Sequence, residues 1–131
     1  MNHKSILLEY WWEKAQESLK SSKILFKENL IRNSVNNLYY SIFYVTTSYF
    51  LTKGKTFKKH AGVRAEFHKE LVKTGKINRE YGNLYDELLT AREEGDYRPF
   101  VEFKKSEVET WIKEVEEFLK IMKELIDKEL K

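Results

Sequence analysis

Cysteine is absent from the chain, which excludes disulfide bonds and any zinc site built on thiolates. Such a composition suits a reducing compartment. No basic leader followed by an apolar stretch opens the sequence, because Trp11 and Trp12 are followed at once by Glu13 and Lys14. We therefore expect a cytoplasmic protein without a secretory signal.

The signatures of several enzyme classes are also missing. The sequence contains no G-x-S-x-G, H-E-x-x-H, P-loop or G-x-G-x-x-G pattern, which excludes the hydrolases, zinc proteases and nucleotide-binding enzymes that depend on them. His60 and His68 are eight residues apart, but Glu66 and Glu70 lie off their helical stripe. We predict neither a metal site nor a cofactor.

Helix-breaking residues are few, since one proline and five glycines interrupt 131 residues. Apolar side chains make up 41% of the chain and aromatic side chains 15%. This length and composition are enough to bury a core, so a solvated tail is excluded and residues 1–131 are predicted to form one domain.

Charge is unevenly distributed although the net value is only +3. Residues 1–52 carry six basic and four acidic side chains, residues 53–80 carry nine and three, and residues 81–131 carry nine and fourteen. The middle segment is a candidate surface for an anion or a nucleic acid, and the acidic last third is one that a basic neighbour could contact. Solvated helix faces with compensating neighbours are the alternative explanation.

Apolar residues recur every three or four positions, a spacing typical of helices. The pattern predicts five helices over residues 5–29, 33–52, 61–73, 78–94 and from 106 onward, with Ser5 capping the first and Ser106 capping the last. Gly54 and Gly75 are predicted to follow the ends of the second and third helices. Gly95 is predicted to end the fourth, so that residues 96–100, which include Pro99, form a loop. The expected fold is all-α, an antiparallel up-and-down bundle of about four long helices plus one shorter helix.

The second predicted helix has no charged residue over the twenty positions from Asn33 to Thr52. Its many amides and hydroxyls argue against a membrane span. A helix uncharged on every side is expected to be buried on more than one side, and a second subunit would cover what its own chain leaves open. We infer a homodimer, with a monomer that wraps its central helix as the alternative.

Four groups of residues are candidates for phosphate chemistry. His60, Arg64 and His68 are spaced by four and share a helical stripe, which suits phosphate binding or proton exchange as well as the polar side of an amphipathic helix. Lys58 and Lys59 precede the stripe and suit nonspecific phosphate contact. The third group is Tyr39, Tyr40 and Tyr44, which are either base-stacking residues or core residues. The fourth group is Arg92, Asp96 and Tyr97, which lie beside the predicted loop.

Five stretches of the sequence are W-E-K-A-Q-E-S-L-K-S-S-K-I-L-F-K-E-N (12–29), R-N-S-V-N-N-L-Y-Y-S-I-F-Y (32–44), H-A-G-V-R (60–64), V-K-T-G (72–75) and A-R-E-E-G-D-Y (91–97). Together and in this order they resemble the HEPN superfamily, and within it the short stand-alone prokaryotic branch. The resemblance implies a helical bundle that dimerises, that is often encoded beside a minimal nucleotidyltransferase as a toxin and antitoxin pair, and that can cleave RNA without a metal ion.

In active HEPN proteins an arginine and a histidine separated by four to six residues meet across the dimer and assist attack by the RNA 2′-hydroxyl. This sequence departs from that pattern. Arg64 and His68 have only three residues between them, and Arg92 is followed at the family spacing by Tyr97. Because tyrosine, with a pKa near 10, is a poor base at neutral pH, the sequence leaves metal-independent ribonuclease activity undecided.

Two main hypotheses follow. In the first, the chain belongs to a toxin and antitoxin or defence module and binds RNA or a nucleotide in a dimer-interface cleft. Its catalytic residues are Arg92 and Tyr97, and its phosphate or nucleic-acid contacts are His60, Arg64, His68, Lys58 and Lys59. In the second, it is a noncatalytic nucleotide-binding or adaptor module that acts through a partner such as a nucleotidyltransferase. A structural helical dimer without a ligand is a third, simpler hypothesis.

Overall fold

A computed structural model of the chain describes residues 3–97, 99 and 101–131, and of Tyr97 it describes the backbone only. All regular structure within these ranges is helical. The helices are α1 (His3–Lys27), α2 (Ile31–Thr52), α3 (His60–Phe67), α4 (Arg79–Tyr97) and α5 (Lys105–Glu129), and a π-helical turn (His68–Val72) continues α3. The predicted all-α bundle of four long helices and one short helix is confirmed.

A repeat of small residues joins α1 to α2. Ser34, Ser41 and Ser48 recur every seven residues on α2 and are fully buried, so each faces α1 at the same angle. The hydroxyl groups of Ser41 and Ser48 donate to the carbonyl oxygens of Ala15 (2.8 Å) and Leu8 (3.3 Å). The Ser34 hydroxyl donates to the carbonyl oxygen of Ser22 (2.8 Å), and the Ser22 hydroxyl donates to the carbonyl oxygen of Ser34 (2.9 Å). Serine thus allows close helix packing while its polar group stays satisfied.

The centre of the bundle is α2, which packs against the other four helices. Its buried aromatic and aliphatic side chains meet the apolar stripes of α4 and α5, and the ring of Tyr39 packs edge-on to that of Tyr85 at 6.3 Å. The long helices α4 and α5 are antiparallel, because Trp111 in α5 bonds to Glu87 in α4 while Phe118 further along α5 packs on Tyr81. This core explains how the uncharged segment of α2 (33–52) is buried on several sides within one chain.

Two of the predicted helix boundaries are confirmed by glycines in the left-handed region. Gly54 (φ 71°) follows the end of α2, and Gly75 (φ 81°) follows the π-helical turn. Both caps predicted at N-termini are wrong. Ser5 and Ser106 lie inside their helices, because α1 already includes His3 and α5 starts at Lys105 after an extended Lys104.

The predicted end of the fourth helix at Gly95 is also wrong, because α4 continues through Asp96 and Tyr97. Gly95 is buried where α2 crosses α4, and a Cβ atom there would lie 3.1 Å from Cγ of Arg32. The glycine therefore serves close packing inside a helix, so the loop predicted over residues 96–100 begins later than expected. Arg98 and Phe100 of that predicted loop lie outside the described residues.

No helix in the described ranges has both the length and the apolar character needed to cross a membrane. This agrees with the rejection of α2 as a membrane span, and the buried serines of the α1 seam give the physical reason for its mixed composition.

Candidate functional site

Arg92 is held against α2 by polar and aromatic contacts. Its Nη2 donates to the hydroxyl of Tyr40 (3.0 Å) and its Nε to Oδ1 of Asn36 (3.3 Å). The guanidinium carbon lies 5.1 Å from the ring centroids of both Tyr39 and Tyr40. Asp96, one turn later on α4, is 3.8 Å from Nε. The cation is thus fixed in position by neutral groups, with a carboxylate at the outer limit of ion pairing.

His60, the first residue of α3, reaches the same pair of tyrosines. Its Nδ1 lies 3.2 Å from the hydroxyl of Tyr39, and its ring stacks on Phe43 with the centroids 3.9 Å apart. The rings of Tyr40 and His60 are nearly perpendicular, with the centroids 5.9 Å apart. We call the resulting group the Arg92 cluster: Asn36, Tyr39, Tyr40, Phe43, His60 and Arg92.

Burial and charge set the protonation states in the Arg92 cluster. Burial raises the pKa of Tyr39 to about 12, against a smaller opposing effect of Arg92, so its hydroxyl stays protonated at neutral pH. Burial, followed by the nearby Arg92, lowers the pKa of His60 below its ordinary value of 6.5. The cluster therefore pairs a permanent cation with an imidazole that is mostly neutral at pH 7.

Arg64 and His68 form a separate group with Asp86 of α4, which we call the Asp86 cluster. Oδ1 of Asp86 accepts from Nε of Arg64 (2.7 Å) and lies 2.9 Å from Nε2 of His68. Burial by itself would raise the pKa of Asp86, but the hydrogen bonds from Arg64 and His68 outweigh it and lower the pKa. The carboxylate is ionised at neutral pH and offsets part of the positive charge of this cluster.

The structure brings some of the predicted site residues together and separates others. His60 and Arg92, predicted as members of different groups, share one cluster. The predicted stripe is divided, because Arg64 and His68 turn to Asp86. Lys58 and Lys59 are exposed immediately before α3. Tyr97 is the last residue of α4, and its side chain lies outside the described residues.

Sequence reasoning missed Asn36 and Asp86. Asn36 belongs to the uncharged segment and gives no signal of its own, although it is one helical turn before Tyr40 and so on the same face. Asp86 is the only carboxylate between Glu80 and Glu87. Nothing local in the sequence indicates that α4 carries it to the stripe of α3.

We expect the Arg92→Gln variant to raise the pKa of His60, because it removes the positive charge that opposes protonation of the imidazole. The pKa should stay below 6.5, since burial, the larger cause, remains. An NMR titration of the His60 ring in both proteins measures this, with His3 as an internal reference. An unchanged His60 titration would show that Arg92 does not act on the imidazole.

The lowered pKa of His60 makes the stability of the fold depend on pH. Because the folded pKa lies below the unfolded one, the unfolded chain binds the proton first as the pH falls. The contribution of His60 to the free energy of unfolding is therefore present above pH 6.5. It is lost as the pH falls below about 6.5 and then through the lower pKa of the folded state.

Comparison with known proteins identifies the family to which this chain belongs. The HEPN domain profile matches residues 8–125. The UPF0332 protein of Thermotoga maritima is 42% identical over 127 residues, covering 97% of this chain and 96% of the relative. MJ0142 of Methanocaldococcus jannaschii, named as a candidate toxin, is 36% identical over 94% of this chain and 84% of its own length.

A second Methanocaldococcus jannaschii protein named as a candidate toxin, MJ0605, is 36% identical over 87% of each chain. With a profile match over most of its length and relatives of this similarity, the chain belongs to the HEPN family. The resemblance found in the sequence is confirmed.

Proposed function

We propose that this HEPN protein is a component of a toxin and antitoxin or defence module and binds the phosphate groups of RNA or of a nucleotide at the Arg92 cluster. The arrangement of Arg92 carries the proposal. Its guanidinium is preorganised by Asn36, Tyr40 and the ring of Tyr39, and a planar cation held in this way suits a phosphate oxygen pair. Two relatives named as candidate toxins support the biological setting.

A concavity whose lining does not include Arg92 is less suited to phosphate. It lies between α4 and α5, has a volume of about 610 Å³, and its lining includes Asp86, Glu87, Glu94, Glu102 and Glu107. Carboxylates in this number repel a phosphate chain. Binding is therefore assigned to the part of α4 where Arg92 faces α2.

The exposed basic side chains around the Arg92 cluster extend the proposed phosphate surface. Lys58 and Lys59 precede His60, and Arg64 and His68 continue along α3 and the π-helical turn. Tyr97 is five positions after Arg92 on α4 and is proposed as a further phosphate-facing group. Contacts of this kind make affinity fall steeply with salt.

A homodimer completes the proposal. Along α2 a stripe of uncharged, partly exposed residues remains after the chain has folded, and Tyr40 of the Arg92 cluster belongs to it. The other members of this α2 stripe are Asn37, Tyr44, Thr47 and Leu51. Tyrosine-rich surfaces without charge are favoured in protein interfaces. A second copy on the α2 stripe would place two Arg92 clusters along one cleft, and light scattering should then give a mass near twice 15.8 kDa.

RNA cleavage is tested directly by incubating the dimer with mixed RNA in EDTA. Cleavage lost in Arg92→Ala supports a metal-independent ribonuclease, while RNA binding without cleavage supports a noncatalytic module. Absence of both binding and cleavage from the folded protein contradicts the proposed function.

One observation favours the adaptor hypothesis as a second function. The acidic concavity between α4 and α5 fits a basic surface of a partner protein, such as a nucleotidyltransferase, and Arg92 is not part of its lining. Charge reversal at Glu102 and Glu107 would weaken such a partner complex while leaving RNA binding intact.

We expect Asp86→Asn to strengthen RNA binding by about threefold to tenfold at low salt. The substitution removes a negative charge beside Arg64 and His68 and adds one unit to the net charge of the phosphate surface. Fluorescence anisotropy with a short single-stranded RNA at two salt concentrations measures the gain, which should shrink at high salt. Asp127→Asn on α5 is the matched control, and an equal gain there would show that the effect is general.

A further inference from the structure

We propose that His60 serves as a stacking platform for an unpaired nucleobase, next to the phosphate site at Arg92. This assignment rests on the proposed function and refines it, because it names the part of the RNA or nucleotide that His60 contacts. It also changes the role of His60 from a cation that attracts phosphate to an aromatic surface that receives a base.

Two contacts fix the orientation of the imidazole ring of His60. One face lies on Phe43, with 3.9 Å between centroids and 29° between planes, and Nδ1 is tied to the hydroxyl of Tyr39 at 3.2 Å. His60 nevertheless remains exposed. The ring of Tyr39 is also nearly parallel to the imidazole, with the centroids 6.1 Å apart. A base placed on the exposed part of the imidazole, away from Phe43, would continue the stack that Phe43 begins.

Cationic side chains lie near this ring in space and in sequence. Arg92 contacts Tyr39 and Tyr40, the same tyrosines that contact His60. Lys59 directly precedes His60 in the sequence and is exposed. Aromatic rings that alternate with cations are the common means of binding single-stranded nucleic acids, and base stacking tolerates any sequence.

The electrostatics agree with a stacking role. An imidazolium beside Arg92 would be repelled, and the lowered pKa of His60 keeps the ring neutral at pH 7. Arg92 is the charged group that opposes protonation of the imidazole. A neutral ring stacks on a base without competing with Arg92 for the phosphate.

The experiment uses a single-stranded RNA eight-mer that carries 2-aminopurine, whose fluorescence is quenched when the base stacks. Wild type, His60→Ala, His60→Phe and Arg92→Ala are titrated with it, and circular dichroism checks that each variant is folded. We expect quenching by wild type, about tenfold weaker binding with lost quenching in His60→Ala, and recovery of both in His60→Phe. Recovery by phenylalanine separates stacking from proton transfer, because phenylalanine cannot exchange protons.

Several results would overturn the platform. In one, His60→Ala binds and quenches like wild type while Arg92→Ala loses binding, which contradicts the platform and leaves the proposed function intact. Failure of His60→Phe to recover binding would show that the imidazole nitrogens are required. Conversion of the dimer to a monomer by His60→Ala would place the ring in the subunit interface. If wild type itself does not bind the RNA, both the proposed function and the platform are contradicted.

Discussion

The Arg92→Ala variant is expected to bind single-stranded RNA about tenfold to a hundredfold more weakly than the wild-type protein. Alanine removes the guanidinium that Asn36 and Tyr40 hold in place, and hydrogen bonds to charged groups contribute enough to account for a loss of this size. If the dimer presents two such groups to one strand, the loss moves toward the upper value. Fluorescence anisotropy at constant, stated salt concentration measures it.

Two controls make this result specific. Arg92→Lys keeps the charge but not the planar fork, so it should recover only part of the affinity. Lys120→Ala removes a positive charge from the exposed surface of α5, far in the sequence from the Arg92 cluster, and should change affinity less than twofold. Equal losses in Arg92→Ala and Lys120→Ala would mean that binding depends on net charge and not on the site.

The largest effect on stability is expected from Ser41→Leu. Ser41 is fully buried in the seam between α1 and α2, and its hydroxyl lies 2.8 Å from the carbonyl oxygen of Ala15. Leucine requires space that a closely packed seam does not offer, so the helices must separate. We expect the free energy of unfolding to fall by about 3 kcal/mol, measured by urea denaturation with the slope of the transition unchanged.

Ser41→Ala is the matched control for the seam. It removes the hydroxyl without adding volume, and one buried carbonyl of α1 loses a side-chain partner that it has in addition to its helical bond. The loss should be about 1 kcal/mol. If Ser41→Leu is no more destabilising than Ser41→Ala, the seam is not closely packed.

Much of the fold could be predicted from the sequence because helical periodicity is a local signal. The stop signals at Gly54 and Gly75 depend on backbone freedom that only glycine has without strain, and both were predicted correctly. Gly95 gives the same signal for a different reason, because Arg32 of another helix approaches it. A single sequence does not distinguish a glycine that ends a helix from one that admits a neighbour.

The candidate site was less predictable, because its contacts join residues far apart in the chain. Arg92 is 56 residues from Asn36 and 52 from Tyr40. The stripe of His60, Arg64 and His68 was identified from spacing, which fixes a shared face but not what each side chain meets across it. The partners on α2 and α4 decide that His60 joins Arg92 while the other two join Asp86.

The uncharged segment of α2 (33–52) shows how one pattern can have two causes. Its serines are needed for close approach to α1, whereas Asn36 and Tyr40 are needed to hold Arg92. Absence of charge predicted extensive burial, which is confirmed for twelve residues of the helix. The same absence of charge predicted a contact with a second subunit, and this stays a prediction. The α2 stripe is the surface on which we expect that contact.

The most direct measurement of the central claim is an NMR titration of the protein with a short single-stranded RNA, following the Arg92 Nε–H signal together with the backbone amides. The account predicts the largest shifts at Arg92, His60 and Tyr40, with smaller shifts at Lys58 and Lys59. Shifts confined to the acidic concavity between α4 and α5, or absent from the Arg92 side chain at saturation, would contradict it.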